Sequence, residues 1–255
     1  MYLENAALSK CTEYATPLGN LPVDTALTVE LYKSGQFKYM SQDADENEHS
    51  LEMHLPYIYK MLSKYALFYF AFAFKLRTLV LMQVSTHGAN IPPLVPIMVG
   101  NTSAATERSL GQVLAPYLSD PTNAFVVSSD FAHWGSRFGY TYYQPSNGDA
   151  ISLRSGSRAP TDPEIHESIK AVDFECMGAC ETGSHQSWLG VLSDTGNTVC
   201  GRHPIGVVMA GLEIAKQQEG GSGKGLFKFV RYDRSGEVKK LAESSVSYAS
   251  AFAVL

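Results

Sequence analysis

Apolar residues recur along the chain in two rhythms. "PLVPIMVG" and "NAFVVSS" are compact, almost wholly apolar runs closed by Gly or Ser, the pattern of strands buried on both faces. "TALTVELYKSG" carries its apolar residues at helical spacing and ends at Gly35, which predicts a short helix. "SAATERSLGQVLAPYLSD", "DPEIHESIKAVDFECMGA", "SHQSWLGVLSD" and "HPIGVVMAGLEIAKQQ" predict further helices by the same test. A helix is also expected to begin in "DADENEHSLEMHLPYIYKMLSKY", its acidic first turn suited to the helix dipole and Asp45 forming a capping box with Glu48. Near the C-terminus "GLFKFVRYD" and "SSVSYASAFAV" alternate as half-buried strands do, and predict an antiparallel pair. The opening segment through "TPLGNLPVD" and the polar tract from Gln144 to Pro163 show neither period and read as loops. Strands alternating with helices predict an α/β fold: a largely parallel sheet flanked by helices, with an antiparallel C-terminal edge.

One stretch breaks the pattern. Tyr65 to Val84 is apolar over nearly the length of a membrane span, but Lys75 and Arg77 sit in its middle, where each would cost a few kcal/mol in lipid. We read residues 66–87 as an atypical apolar insert within a single domain spanning 1–255, and not as a membrane helix. The rest of the composition is ordinary: 45% hydrophobic, 18% charged, with a formal charge of −5. That charge, without a dense Lys/Arg cluster, excludes a nucleic-acid surface. The four cysteines are too sparse for a disulfide framework, and Cys176 and Cys180 fall on one face of a helix. No basic-then-apolar leader opens the sequence, so a reduced, cytoplasmic compartment is expected, with access to the nucleus left open.

Three constellations carry chemistry. Asp130 and His133 follow the strand "NAFVVSS", and in open α/β sheets ligands sit beyond the carboxyl ends of strands. The competing reading is a turn-capping Asp with His133 packed on Trp134. Cys200, followed by Arg202 and His203, stands just before a helix, where a thiolate is favoured for metal binding or nucleophilic work; a buried structural cysteine is the alternative. His49 and Glu52 share a helical face and offer either second-layer support or no more than a solvated helical start with capping carboxylates; "EHSLEMH" is not the HExxH pattern of zinc proteases. His87, His166 and His185 stand in polar surroundings and read as surface residues. No G-x-S-x-G elbow, P-loop or dinucleotide glycine fingerprint is present.

Taken in order, "DENEHSLEMHLPY", "FVVSSDFAHWGSRFGYTYY", "CGRHPIGV" and "SSVSYA" resemble the Memo family, named for mediating receptor-driven cell motility. The resemblance implies one α/β domain similar to class III extradiol dioxygenases. It also implies a non-haem pocket for iron or copper, with Cys200 as a ligand and with Asp130 and His133 in the same pocket. Asp130 and His133 would be ligands or acid/base groups, and His49, Glu52, Arg202, His203 and Trp134 would line or support the site. The implied function is a metal-dependent oxidoreductase role in motility signalling. The alternatives are a phosphotyrosine-peptide or signalling-protein binding module, in which Arg202 and Arg137 meet the phosphate beside Trp134 or Tyr140, and a product with no function of its own. The family's two histidine ligands belong to "PHAGY" and "GPSHH" motifs, and neither occurs in the 255 residues. The chain is therefore expected to be a version lacking the family's N-terminal part, with metal affinity severely weakened, because ligand number decides binding.

Overall fold

The computed structural model describes residues 3–64, 78–83, 91–154, 156–219 and 225–254. Strands β1 (Ala6–Leu8), β2 (Glu13–Thr16) and β3 (Gly19–Pro22) precede helix α1 (Thr25–Lys33) and β4 (Phe37–Tyr39). Helices α2 (Gln42–Glu46), α3 (His49–Glu52) and α4 (Leu55–Lys64) follow, then β5 (Thr78–Gln83), β6 (Leu94–Val99), α5 (Ala104–Ser119) and β7 (Asn123–Ser128). Short strands β8 (His133–Trp134), β9 (Tyr142–Tyr143) and β10 (Ile151–Ser152) lead into α6 (Ile165–Glu181), α7 (His185–Thr195) and α8 (Arg202–Glu219). The antiparallel pair β11 (Lys228–Arg234) and β12 (Ser245–Phe252) ends the described fold.

The main sheet has the order β4-β1-β6-β5-β7. It is mixed, and this corrects the expectation of a largely parallel sheet: only β1 and β4 are parallel neighbours, whereas β1/β6, β6/β5 and β5/β7 are antiparallel. The cause is β5. The connection β6–α5–β7 sends β6 and β7 in the same direction, as such a crossover does. Between them lies β5, running the other way, so that one would-be parallel pairing becomes two antiparallel ladders. That strand comes from the atypical apolar segment 66–87; the remainder of the segment falls outside the described residues. The expected antiparallel C-terminal edge is a separate sheet, β11-β12-β8, which reaches directly into the "FAHW" loop.

Helices α5 and α8 cover one face of the main sheet. Leu110, Leu114 and Leu118 of α5 and Val207, Val208 and Leu212 of α8 pack with Leu8, Val95, Ile97 and Val99 beneath them. Full burial of each such side chain stabilises by about 1.5–3 kcal/mol. The two helices approach so closely that a Cβ on Gly111 would press against the backbone of Gly211 and Val207. This approach brings the N-terminal turns of both helices together at the carboxyl end of β6, next to the end of β7.

Two local expectations are corrected. The acidic stretch forms three short helices where one was expected: Ser41 caps α2, and the Glu48 carboxylate caps α3. Asp45 caps nothing. It is turned inward, accepting hydrogen bonds from Ser9 (2.5 Å), from Cys11 (3.4 Å) and from Tyr14. In the segment read as a loop, β1 is a fully buried strand of the core, and β2 and β3 form a hairpin. Among the described residues no helix is long and apolar enough to cross a membrane.

Candidate functional site

At the end of β7 the chain is held from two sides. On one side β12 pairs with it: the Phe131 amide donates to the Ser247 carbonyl, and the Ser247 amide to that of Ala132. On the other side lies the loop 196–201, drawn in until Gly201 touches Ser128 and Ser129; a Cβ at Gly201 would collide with both. The Gly201 amide donates to Ser129 Oγ at 3.0 Å, and that hydroxyl donates to the Asp130 carbonyl at 2.7 Å. The two loops are thereby registered against each other residue by residue.

The registration places Cys200 on Asp130. The Asp130 amide donates to Cys200 Sγ at 3.0 Å, and the Cys200 amide returns a bond to the Asp130 carbonyl at 3.2 Å. The sulfur thus accepts an N–H bond at the head of α8. The Asp130 side chain is 0% exposed, and neither oxygen has a hydrogen-bond partner among the described residues. His133 Nε2 lies 3.4 Å from its Oδ2. Buried carboxylates are normally satisfied, so this one is exceptional. His133 is 19% exposed at its side chain, and its ring packs edge-on against Phe138 at 5.2 Å. Thr198 fixes its backbone, accepting from the His133 amide at 2.7 Å and donating to its carbonyl at 3.2 Å.

Asp130 thus meets His133 through its carboxylate and Cys200 through its backbone. The other expected residues do not join them. His49 and Glu52 are exposed on α3, and no hydrogen bond or ion pair links either to this loop pair among the described residues. Trp134 is 1% exposed inside a cluster with Ile165, Ile169 and Val238, its indole N–H donating to the Tyr142 carbonyl. His203 points away from Cys200, into a second buried polar group.

That second group corrects the reading of His185 as a surface residue. His185 is 0% exposed, with Nε2 at 2.6 Å from Glu107 Oε2, while His203 Nδ1 lies 2.8 Å from Oε1 of the same carboxylate. Burial alone would raise the Glu107 pKa, but the hydrogen bonds from His185 and His203 outweigh it and hold the carboxyl below its usual range. Gly206 lies so close to this carboxylate that a Cβ would overlap it. His166 is likewise buried, 2.7 Å from Glu164 and 3.1 Å from Glu167. His87 lies outside the described residues. A cavity of about 300 Å³ opens beside this cluster, lined by Glu107, Arg202, His203, Asn197, Leu189 and Leu192 among others. Arg202 therefore belongs to this cavity, while Trp134 is buried elsewhere.

Cys, His and Asp donors are the right kinds for iron or copper. The number is the difficulty: among the described residues no group of three or more His, Cys, Asp or Glu side chains is placed to hold a metal ion. These residues do not by themselves fit a complete metal centre.

Sequence composition passes over Ser129, Asp173, Thr198 and Glu107. One signal was available for two of them. Asp173 lies among Ile169, Val172 and Cys176 on the buried face of α6, and Glu107 shares the inner face of α5 with Leu110 and Leu114; a carboxylate on an apolar stripe must be paired or functional.

Comparison with known proteins adds a lineage. A family model described as "Memo-like protein" matches residues 1–252. Protein MEMO1 of Xenopus laevis is 38% identical over 97% of this chain and 70% of its own length. Protein MEMO1 of Homo sapiens is 36% identical over the same shares. The MEMO1 family protein C4H3.04c of Schizosaccharomyces pombe is 36% identical over 99% of this chain and 74% of its own length.

Proposed function

The chain belongs to the Memo family, and on that premise we propose that Asp130, His133 and Cys200 are its share of a redox-type site for iron or copper, in an extradiol-dioxygenase-like fold. The observation that carries this reading is the Asp130 carboxylate, wholly buried, with no hydrogen-bond donor among the described residues, 3.4 Å from the His133 imidazole, on a residue whose backbone amide donates to the Cys200 thiol. Leaving a carboxylate in that state destabilises the fold, and such sites are where function resides.

The roles follow from placement. Cys200 supplies a thiolate that the Asp130 amide and the α8 N-terminus stabilise. His133, partly exposed and within 3.4 Å of Asp130, is the group able to exchange protons with solvent. Asp130 orients that imidazole and offsets its charge. Because the described residues fall short of a full ligand group, no reaction step is assigned to a metal here. A role in motility signalling comes with the family reading and is part of the same proposal. The phosphotyrosine-module reading draws less support, since its cationic and aromatic halves, Arg202 and Trp134, lie in different surroundings.

Titration of the purified chain with iron(II) or copper(I) under reducing conditions tests the proposal. Cys200→Ser and His133→Ala should each weaken uptake by at least the 10–100-fold that loss of a supporting residue costs at metal sites. Unchanged metal content in Cys200→Ser would count against it.

A further inference from the structure

We infer that Asp173 is the positioning residue that sets the Cys200 loop against the Asp130–His133 loop. The inference rests on reading those three residues as one site, and it concerns how the site is assembled.

Asp173 lies on α6, 0% exposed, outside both loops. Its Oδ1 accepts two hydrogen bonds, one from each loop: the Ala132 amide at 3.1 Å and the Asn197 side-chain amide at 3.0 Å. Its Oδ2 accepts from the Tyr232 hydroxyl of β11 at 2.9 Å. Ala132 is the residue between Phe131 and His133, and Asn197 immediately precedes Thr198, which in turn grips the His133 backbone. One oxygen atom therefore ties both segments to α6, in addition to the bonds the two loops make with each other.

The Asn197 amide is oriented by its NH₂ group, since its Oδ1 has no partner among the described residues. A flipped side chain would turn its oxygen toward the carboxylate, and the NH₂ group also reaches Cys176 Sγ at 3.3 Å. Burial comes first among the influences on Asp173 and raises its pKa, against the pull of its donors. The same donors could have been met by water or by backbone carbonyls. A carboxylate buried at this cost in desolvation, holding one donor from each loop, does what neither substitute does: it ties both loops to a rigid helix.

The experiment compares Asp173→Asn, Asp173→Ala, Asn197→Ala and Tyr232→Phe in the full chain. Two local readouts are needed: the Asp130 backbone amide signal and its exchange rate by NMR, and the alkylation rate of Cys200 by iodoacetamide at fixed neutral pH. Mass spectrometry separates Cys200 from Cys11, Cys176 and Cys180. Asp173→Asn keeps an oxygen able to accept from both loops and should retain wild-type values in both readouts. Asp173→Ala, and Asn197→Ala if the former does not fold, should shift the Asp130 amide and change Cys200 alkylation by about tenfold, the scale of a lost supporting contact. Tyr232→Phe removes the donor to Oδ2 and its bond to Ser247 Oγ while keeping both Oδ1 bonds to the loops, and should lower the melting temperature while leaving both local readouts in place. Folded Asp173→Ala or Asn197→Ala protein with an unaltered Asp130 amide and Cys200 rate would overturn the inference. If these local effects appear in a chain that takes up neither iron nor copper, the positioning role stands and the metal reading fails.

Discussion

Two buried carboxylates lie at the same end of the sheet and are treated in opposite ways. Glu107 is 1% exposed, and both its oxygens are met by imidazoles, from His185 on α7 and His203 on α8. Asp130 is 0% exposed, and neither of its oxygens has a hydrogen bond among the described residues. The first arrangement joins three helices and satisfies the carboxylate completely, leaving only His185 Nδ1 without a partner among the described residues. The second leaves acceptor capacity unspent beside a partly exposed histidine. A fully paired buried carboxylate bonds the fold together, and the under-satisfied one is the feature on which the proposed ligand site rests.

The largest effect should come from breaking the satisfied cluster. Glu107→Ala removes the shared partner of two buried imidazoles and should lower unfolding free energy by about 3–5 kcal/mol, measured by urea denaturation. A loss no greater than that of an average surface substitution would erase the contrast. Next comes the contact that brings the two loops together. Gly201→Ala places a methyl group against Ser128 and Ser129 and should cost about 1–3 kcal/mol. It should also disturb the Asp130 amide, whereas Gly139→Ala, with open space around it but a left-handed backbone, should leave that amide unchanged.

Acid should distinguish the clusters as well. The Glu107 carboxyl is held below its ordinary range in the fold, so its stabilisation is complete above the unfolded glutamate pKa of about 4.3 and is lost as pH falls through the lowered folded value. Glu107→Gln should flatten the acid limb of the stability profile; a limb of unaltered steepness would show that other groups set it. The smallest effect on stability is expected at Asp130. Asp130→Asn replaces a buried carboxyl that has no hydrogen-bond donor among the described residues, and should leave stability within about 1 kcal/mol of wild type or raise it, while weakening metal uptake. A large destabilisation would make Asp130 a structural residue like Glu107.

The contrast between the carboxylates was only partly legible in the sequence. The strand "NAFVVSS" and the helices from α5 to α8 announce themselves by period, and a strand end delivering Asp130 and His133 was enough to place those two. Cys200 was found from its station before a helix. The directions of the strands were not legible, because β5 belongs to a segment whose composition suggested an insert, and a strand's pairing partner is not written in its own residues. Nor were His185 and Glu107: they lie 78 positions apart in the chain, and the polar neighbours that made His185 look exposed face outward on its helix while the imidazole faces in. β1 escaped notice for a simpler reason, being a three-residue strand too short to show a period.

A double-mutant cycle between Asp130 and Cys200, read as the affinity of the chain for copper(I) or iron(II), addresses the common-site claim directly. If carboxylate and thiol serve one ligand, Asp130→Asn and Cys200→Ser will each weaken binding and their combination will cost clearly less than the sum. Strictly additive losses, or a wild-type chain whose uptake of either metal neither substitution alters, would contradict it.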